Sequence, residues 1–378
     1  MENVAVSNSF LAAALKAGGV IFVILQIAPV MTWLERKISA FSQDRIGPNR
    51  ATIPIIKNIP LVGPLLQPVV NFLGRLGLLF PLADAIKMIT KEDFIPARAD
   101  RFLHTLAPWV ALVPAFVTFA VIPFGPDVII GGMLHHLQVA NLNVGILYIF
   151  AIASIGVYGT AFAGWASNNK FALLGALRAS AQMISYEISM GLSIIGLIMV
   201  FGTVQLNEMV LKQQELLWGF IPKWGIFVQP LGFLMFFTAA YAETKRAPFD
   251  TPEGESEIVA GYFIEYSGMK FGMFYTAEFV EMIVLGGLVS TLFLGGYLIP
   301  FVPADAAIHG FIGMPGWFWA LAMVFAFLFK MFVFIVLQFQ IRWTLPRFRY
   351  DQIMHLGWKI LLPVALANVF ITGLVLVL

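Results

Sequence analysis

Eight windows of this chain, at 17–34, 102–126, 128–169, 188–207, 224–242, 282–304, 306–329 and 360–378, contain no Asp, Glu, Lys or Arg. A helix needs about 20 mostly apolar residues to cross a bilayer. The longest window includes the polar stretch from His135 to Asn143, so only about 143–166 reads as a span. The window at 306–329 continues past Lys330 to Ile341. The runs are continuous rather than alternating, which selects helices over a barrel. The expected fold class is an all-α integral membrane protein, a single membrane domain over 1–378. Its eight transmembrane helices should start near residues 12, 103, 143, 182, 226, 272, 317 and 358. Charged residues make up 12% of the chain, about half the ~25% of a soluble domain. The start Met1-Glu-Asn-Val lacks a basic region ahead of its apolar stretch, so the first segment is expected to stay as a span.

Sidedness follows from the basic residues. The first connection, residues 35–101, carries ten of them, and 19 of the 23 Lys and Arg fall on one side of the expected membrane. That excess marks the cytoplasmic face, so both termini are expected outside. The first connection also has prolines at 48, 54, 60, 64, 68, 81 and 96. Its apolar pieces are too short and broken to span. They are expected to form short amphipathic helices in the interface or the roof of a cavity. Leu65-Leu-Gln-Pro-Val-Val-Asn71 resembles Leu78-Leu-Phe-Pro-Leu-Ala-Asp84, through local duplication or through chance in a Leu/Pro-rich stretch.

The fifth connection, 243–271, is acidic. Glu243, Asp250, Glu253, Glu255, Glu257 and Glu265 fall within 23 positions and are six of the chain's 21 acids. A solvated turn between helices would tolerate them. Acids near a bilayer are nevertheless candidates for charge or proton handling. Glu278 and Glu281 stand at i and i+3 on one helix face, and Glu187 begins an apolar run. Acids held close together titrate as a coupled group, so none of them alone is the carrier. Lys330 lies inside the seventh span, where a relay role and a pairing with an acid of another subunit are both open.

There is no cysteine, hence no thiolate for zinc or an iron–sulfur cluster. The adjacent His135 and His136 read as a polar outer loop, and no histidines pair for haem or metal. Neither a Gly-x-Gly-x-x-Gly nor a P-loop pattern occurs. Electrons in any redox reaction must then arrive on another subunit, and nucleic acid is not an expected partner.

Four long, ordered motifs carry a family resemblance. Trp33-Leu-Glu-Arg-Lys37 and Gln43-Asp-Arg-Ile-Gly-Pro-Asn49 precede Leu82-Ala-Asp-Ala-Ile-Lys87 and Lys91-Glu-Asp93. Ala163-Gly-Trp-Ala-Ser-Asn-Asn-Lys170 is followed by Ser180-Ala-Gln-Met-Ile-Ser-Tyr-Glu187. The acidic connection continues through Val259-Ala-Gly-Tyr262, Glu265-Tyr-Ser-Gly268 and Ala277-Glu278. Arg342-Trp-Thr-Leu-Pro-Arg-Phe-Arg-Tyr-Asp-Gln352 and Gly357-Trp-Lys359 close the set. Together they resemble the H-subunit family of proton-pumping NADH:quinone oxidoreductase, respiratory complex I, from about residue 29 to 366.

The resemblance implies a membrane subunit at the junction of the membrane and peripheral arms, in a bacterial inner membrane, with both termini periplasmic. It implies quinone as a substrate at a shared site, with FMN and iron–sulfur clusters on partner subunits. Membrane lipid and the other subunits are the implied partners. No complete active site is expected in this chain alone. Carried over by motif, Glu35, Arg36, Arg45, Asp84, Lys87, Arg246 and Phe249 would line or brace the quinone chamber. Glu187, Glu243, Glu253, Glu255, Glu257 and Glu278 would form an acidic path from it toward the pumps.

The chain departs from the family pattern in several places. Lys245 stands where Asn is usual, and it is expected to pair with a local glutamate. Phe80 replaces a Gln. The connection from Asn49 to Arg75 is longer than usual, and nothing acidic lies between Asp127 and Glu187. Other readings are a membrane subunit of a related hydrogenase or formate hydrogenlyase, a stand-alone ion-coupled transporter, which internal repeats would support, and a passive scaffold.

Overall fold

The computed structural model describes residues 10–52, 62–130, 133–217 and 219–378, without the side chains of 10–12, 62–66, 130, 255 and 256. Along the chain these form α1 (Phe10–Ser42), α2 (Val62–Leu76), α3 (Phe80–Thr90), α4 (Arg101–Thr118), α5 (Gly145–Ala166) and α6 (Lys170–Phe201). There follow α7 (Leu206–Lys212), α8 (Gly225–Val228), α9 (Pro230–Glu243), α10 (Gly268–Phe293), α11 (Gly316–Thr344) and α12 (Tyr350–Val377), the last passing through a π-helical turn at Leu356–Leu361. Among the described residues the strands form two antiparallel hairpins, both in even-numbered connections. Val128–Ile130 pairs with Met133–His135 in one, and Leu216–Leu217 with Ile221–Pro222 in the other.

Among the described residues seven helices (α1, α4, α5, α6, α10, α11 and α12) are long and apolar enough to cross a membrane. The expected fifth span is present but broken. Gln229 leaves the helix (φ −133°, ψ 62°) between α8 and α9, because a residue preceding proline is driven out of the α region. Alone, α9 reaches about 21 Å; with α8 the pair reaches about 28 Å at 1.5 Å per residue. The polar side chain at the break is hydrogen-bonded at both its nitrogen and its oxygen. Gln229 donates to Thr372 Oγ1 (2.8 Å) and accepts from Asn368 Nδ2 (3.0 Å), tying the break to α12.

Two helices begin well before the expected positions, α6 at Lys170 and α12 at Tyr350. Charge-free windows mark only the part of a helix that meets lipid, and both helices continue through charged turns that still hydrogen-bond. Asn169 caps α6 by accepting from the Phe171 N–H at 2.9 Å, as short polar side chains do at a helix start.

The bundle centres on α10, whose most apolar 18-residue window is 83% buried, against 17% for α1 and 22% for α12. Helix α10 packs on α1, α3, α4, α7 and α11, while α5 and α6 continue the bundle from α4 toward α9 and α12. Small residues set the spacing. A Cβ on Gly159 of α5 would stand 2.6 Å from the Ala111 nitrogen of α4, and one on Gly164 would stand 2.3 Å from Ala176 Cβ of α6. Close backbone approach of this kind is how helices gain packing energy in lipid.

The first connection follows the expectation of short helices, since α2 and α3 meet at 93°. Its two similar segments occupy different helical positions, however. Pro68 lies inside α2, whereas Pro81 lies in the first turn of α3. The odd-numbered connections gather at one end of the bundle, as contacts of residues 246, 35 and 342 show. The even-numbered connections pack together at the other end, where Gln213 reaches Thr291 and Gly295.

Candidate functional site

The acidic connection folds down onto the bundle instead of standing off it. Gln182, buried in α6, holds it there. Its Nε2 donates to the carbonyls of Ala242 and Phe249, each at 2.8 Å, and its Oε1 accepts from Thr251 Oγ1 at 2.9 Å. Farther along, Gly261 adopts φ 59°. A Cβ there would stand 1.7 Å from the Pro252 carbonyl, and Gly175 of α6 packs directly on it. Only glycine fits both the left-handed backbone and the approach. Phe249 is buried among Tyr186, Tyr241 and Phe348, with ring centroids 5.5–6.1 Å away.

This seat delivers Arg246 into the interior, 4% exposed. One guanidinium nitrogen is 3.4 Å from Glu35 of α1, and the other is 3.1 Å from Glu278 of α10. The group also lies over the Phe279 ring at 4.5 Å. Glu35 takes a second cation, Arg342 from the end of α11, at 2.7 Å. Glu278 accepts from the Tyr262 hydroxyl at 3.1 Å. Each buried charge thus has an opposite charge or a hydrogen bond, the condition for holding ions out of water.

Glu253 stands beside Glu278. Burial, then the Glu278 charge and its hydrogen bond to that residue, raise the Glu253 carboxyl well above the ordinary carboxylate range. Asp250 is also raised by burial, against the opposing pull of Arg347 at 2.7 Å.

A second group of acids lies deeper. Glu243, at the end of α9, and Glu281 of α10 line a cavity of about 70 Å³ with Thr118, Thr244 and apolar side chains of α4, α5 and α6. A cavity needs only about 10–15 Å³ to hold one water, so several fit here. Glu281 lies 3.6 Å from Lys245, the local pairing expected for that lysine. Glu187, on α6, is a charged neighbour of Glu243 and has no ion pair among the described residues.

The remaining sequence candidates lie elsewhere. Arg36 and Asp84 meet at 3.6 Å on an exposed face, with Arg36 3.9 Å above the Phe80 ring. Arg36 and Arg45 border an open cleft of about 910 Å³ that includes Asn49, Arg50, Phe80 and Trp343. Arg45 bonds Gln43, and Lys87 is exposed on α3. Glu257 pairs with Arg178 at 2.6 Å on the surface, away from Glu278 and Glu253. The Glu255 side chain lies outside the described residues. Three functional side chains were missed from sequence, namely Gln182, Tyr262 and Arg342. Arg342 had a signal as the first base after the apolar run of α11. Gln182 had a weaker one, an amide inside an apolar helix, and Tyr262 had none.

The site belongs to a chain with close relatives. The sequence model described as NADH dehydrogenase matches residues 15–373. The NADH-quinone oxidoreductase H 1 subunit of Geobacter metallireducens is 47% identical over 359 residues, 95% of this chain and 94% of the relative. The H 2 subunit of Geobacter sulfurreducens is 48% identical over 357 residues, 94% of each chain. The H 1 subunit of Cytophaga hutchinsonii is 46% identical over 349 residues, 92% of each. Likeness of this extent runs through every helix of the bundle and both acid groups, and the chain therefore belongs to the NADH dehydrogenase family, among its NADH-quinone oxidoreductase H subunits.

Proposed function

We propose that this membrane subunit forms part of a quinone chamber and supplies the acidic path that couples quinone reduction to proton movement. The observation that carries the reading is the buried Arg246, which joins Glu35 to Glu278. Glu35 adjoins Arg36 and the open cleft where a headgroup can approach. Glu278 leads through Glu253 and α10 to the cavity of Glu281 and Glu243. A change of charge in the cleft alters the Glu35–Arg246 interaction, and coupled acids pass that change on as a redistribution of protons. Glu281 and Glu243, which line that cavity, supply the next acceptors.

In this reading the chain carries no redox centre of its own. It has no cysteine to hold a cluster, so FMN and iron–sulfur centres are assigned to partner subunits. The headgroup's direct polar partners are assigned to a neighbouring peripheral subunit. Lipid surrounds the quinone tail, and the protein sits in the bacterial inner membrane with both termini periplasmic.

Arg246→Lys tests the reading. Lysine keeps the charge but loses the planar fork that reaches two carboxylates at once. Quinone-dependent NADH oxidation by the assembled complex should fall about tenfold or more, equivalent to ~1.4 kcal/mol. NADH oxidation by a soluble artificial acceptor should be unchanged. Equal loss of both activities would point to failed assembly, and full quinone turnover would remove Arg246 from the coupling.

A further inference from the structure

Lys245 follows α9 by two residues and is 3% exposed, with its backbone in the left-handed region at φ 56°. Its ammonium lies 3.6 Å from Glu281 of α10. Glu278 of α10, Glu253 of the acidic connection and Glu243 of α9 also act on it, and Glu187 of α6 acts on Glu243 in turn. The next residue, Arg246, is engaged with Glu35 and Glu278. Two consecutive cations therefore serve two groups of acids. Arg246 faces the cleft side and Lys245 the cavity side. Burial pulls the Lys245 pKa down, but Glu281, Glu278, Glu253 and Glu243 pull harder, and the net direction is up. The residue stays a cation.

We propose that Lys245 is a positioning residue of the acidic path: a fixed cation that sets the pH range over which the cavity-side acids Glu281 and Glu243 exchange protons. This rests on the acidic-path reading above. Lys245 itself carries no proton onward. Its charge favours ionised carboxylates around it, so its removal lets them hold protons to higher pH. An opposite charge within ~4–6 Å shifts a carboxylate by about 1–3 pH units, so the displacement is large enough to read.

The experiment compares the pH profile of NADH:quinone turnover for complexes carrying wild type, K245M, K245R and E243Q, each normalised to artificial-acceptor activity. K245M should displace the profile to the alkaline side by about one pH unit, and K245R, which keeps the cation, should restore the wild-type position. An unmoved profile in K245M with a moved one in E243Q overturns this proposal alone. Unmoved profiles in both overturn the path itself. Equal loss of turnover in K245M and K245R without displacement would make Lys245 a packing residue and also overturn it. Should K245M fail to assemble, K245M/E281Q removes the pair together and leaves no orphaned charge. Its profile should lie to the alkaline side of E281Q alone, and coincidence of the two would again overturn the proposal.

Discussion

Glu253 shows what burial does to a single residue. Its carboxyl is pushed well above the ordinary range by desolvation first, then by Glu278, with Asp250 adding and Arg246 opposing. A group raised in the folded state contributes stability that is fully present below its ordinary value of 4.5. That contribution is lost as pH rises through the folded value. E253Q, neutral at every pH, removes this dependence. The melting temperature of the assembled complex should therefore fall less between mildly acidic and mildly alkaline pH in E253Q than in wild type. Equal slopes would show that Glu253 is solvated. At this scale the sequence was informative about residue type and weak about partners. Glu35, Arg246, Glu278 and Glu253 were singled out and do meet. Arg342 and Tyr262, which complete their surroundings, are separated from them along the chain, and no periodicity links such contacts. Glu257 was grouped with the others by the family motif and by its place in the acidic run, and its side chain turns to Arg178.

Among elements, the acidic connection depends on Gln182 as a peg depends on its socket. Gln182→Leu would leave the Phe249 carbonyl and the Thr251 hydroxyl without their partner, while the Ala242 carbonyl keeps the Lys245 N–H at 3.3 Å. Each orphaned group costs about 1–3 kcal/mol. The variant should lower the melting temperature of the complex and reduce quinone turnover, while helical circular dichroism at low temperature stays near wild type. An unchanged melting temperature would mean that the connection is seated by Gly261 and the aromatic cluster around Phe249 instead. Elements were largely legible because lipid imposes one rule, a continuous apolar run for each crossing. The rule failed where a helix carries charge into its first turns, as at Lys170 and Tyr350. The α8–α9 break was written in Pro230, but the Gln229–Asn368–Thr372 bonds that stabilise it join residues more than 130 positions apart.

For the whole molecule, sidedness is the testable quantity. The connections rich in Lys and Arg share one end of the bundle, and that end is expected to face the cytoplasm. Because the chain lacks cysteine, single substitutions report cleanly. Asn58, in the first connection, lies outside the described residues, so the exposed Ala97 and His309 are better sites. Ala97→Cys should react with a membrane-impermeant maleimide only in inside-out vesicles, and His309→Cys only in right-side-out ones. The reverse pattern would invert the topology. Between those two faces, α10 carries Glu278 and Glu281 near its middle, and Lys330 of α11 meets its C-terminal end. That ammonium donates to the carbonyls of Leu294, Gly296 and Leu298 at 2.7–2.9 Å and lies 4.7 Å from the Trp224 ring. An ammonium has three donors and no acceptor, and here all three donors are occupied. While charged it can neither receive a proton nor turn toward one. In mechanical terms the junction is clamped: one side chain of α11 grips three carbonyls of the segment that ends and follows α10, so the two cannot slide past each other there without breaking all three bonds.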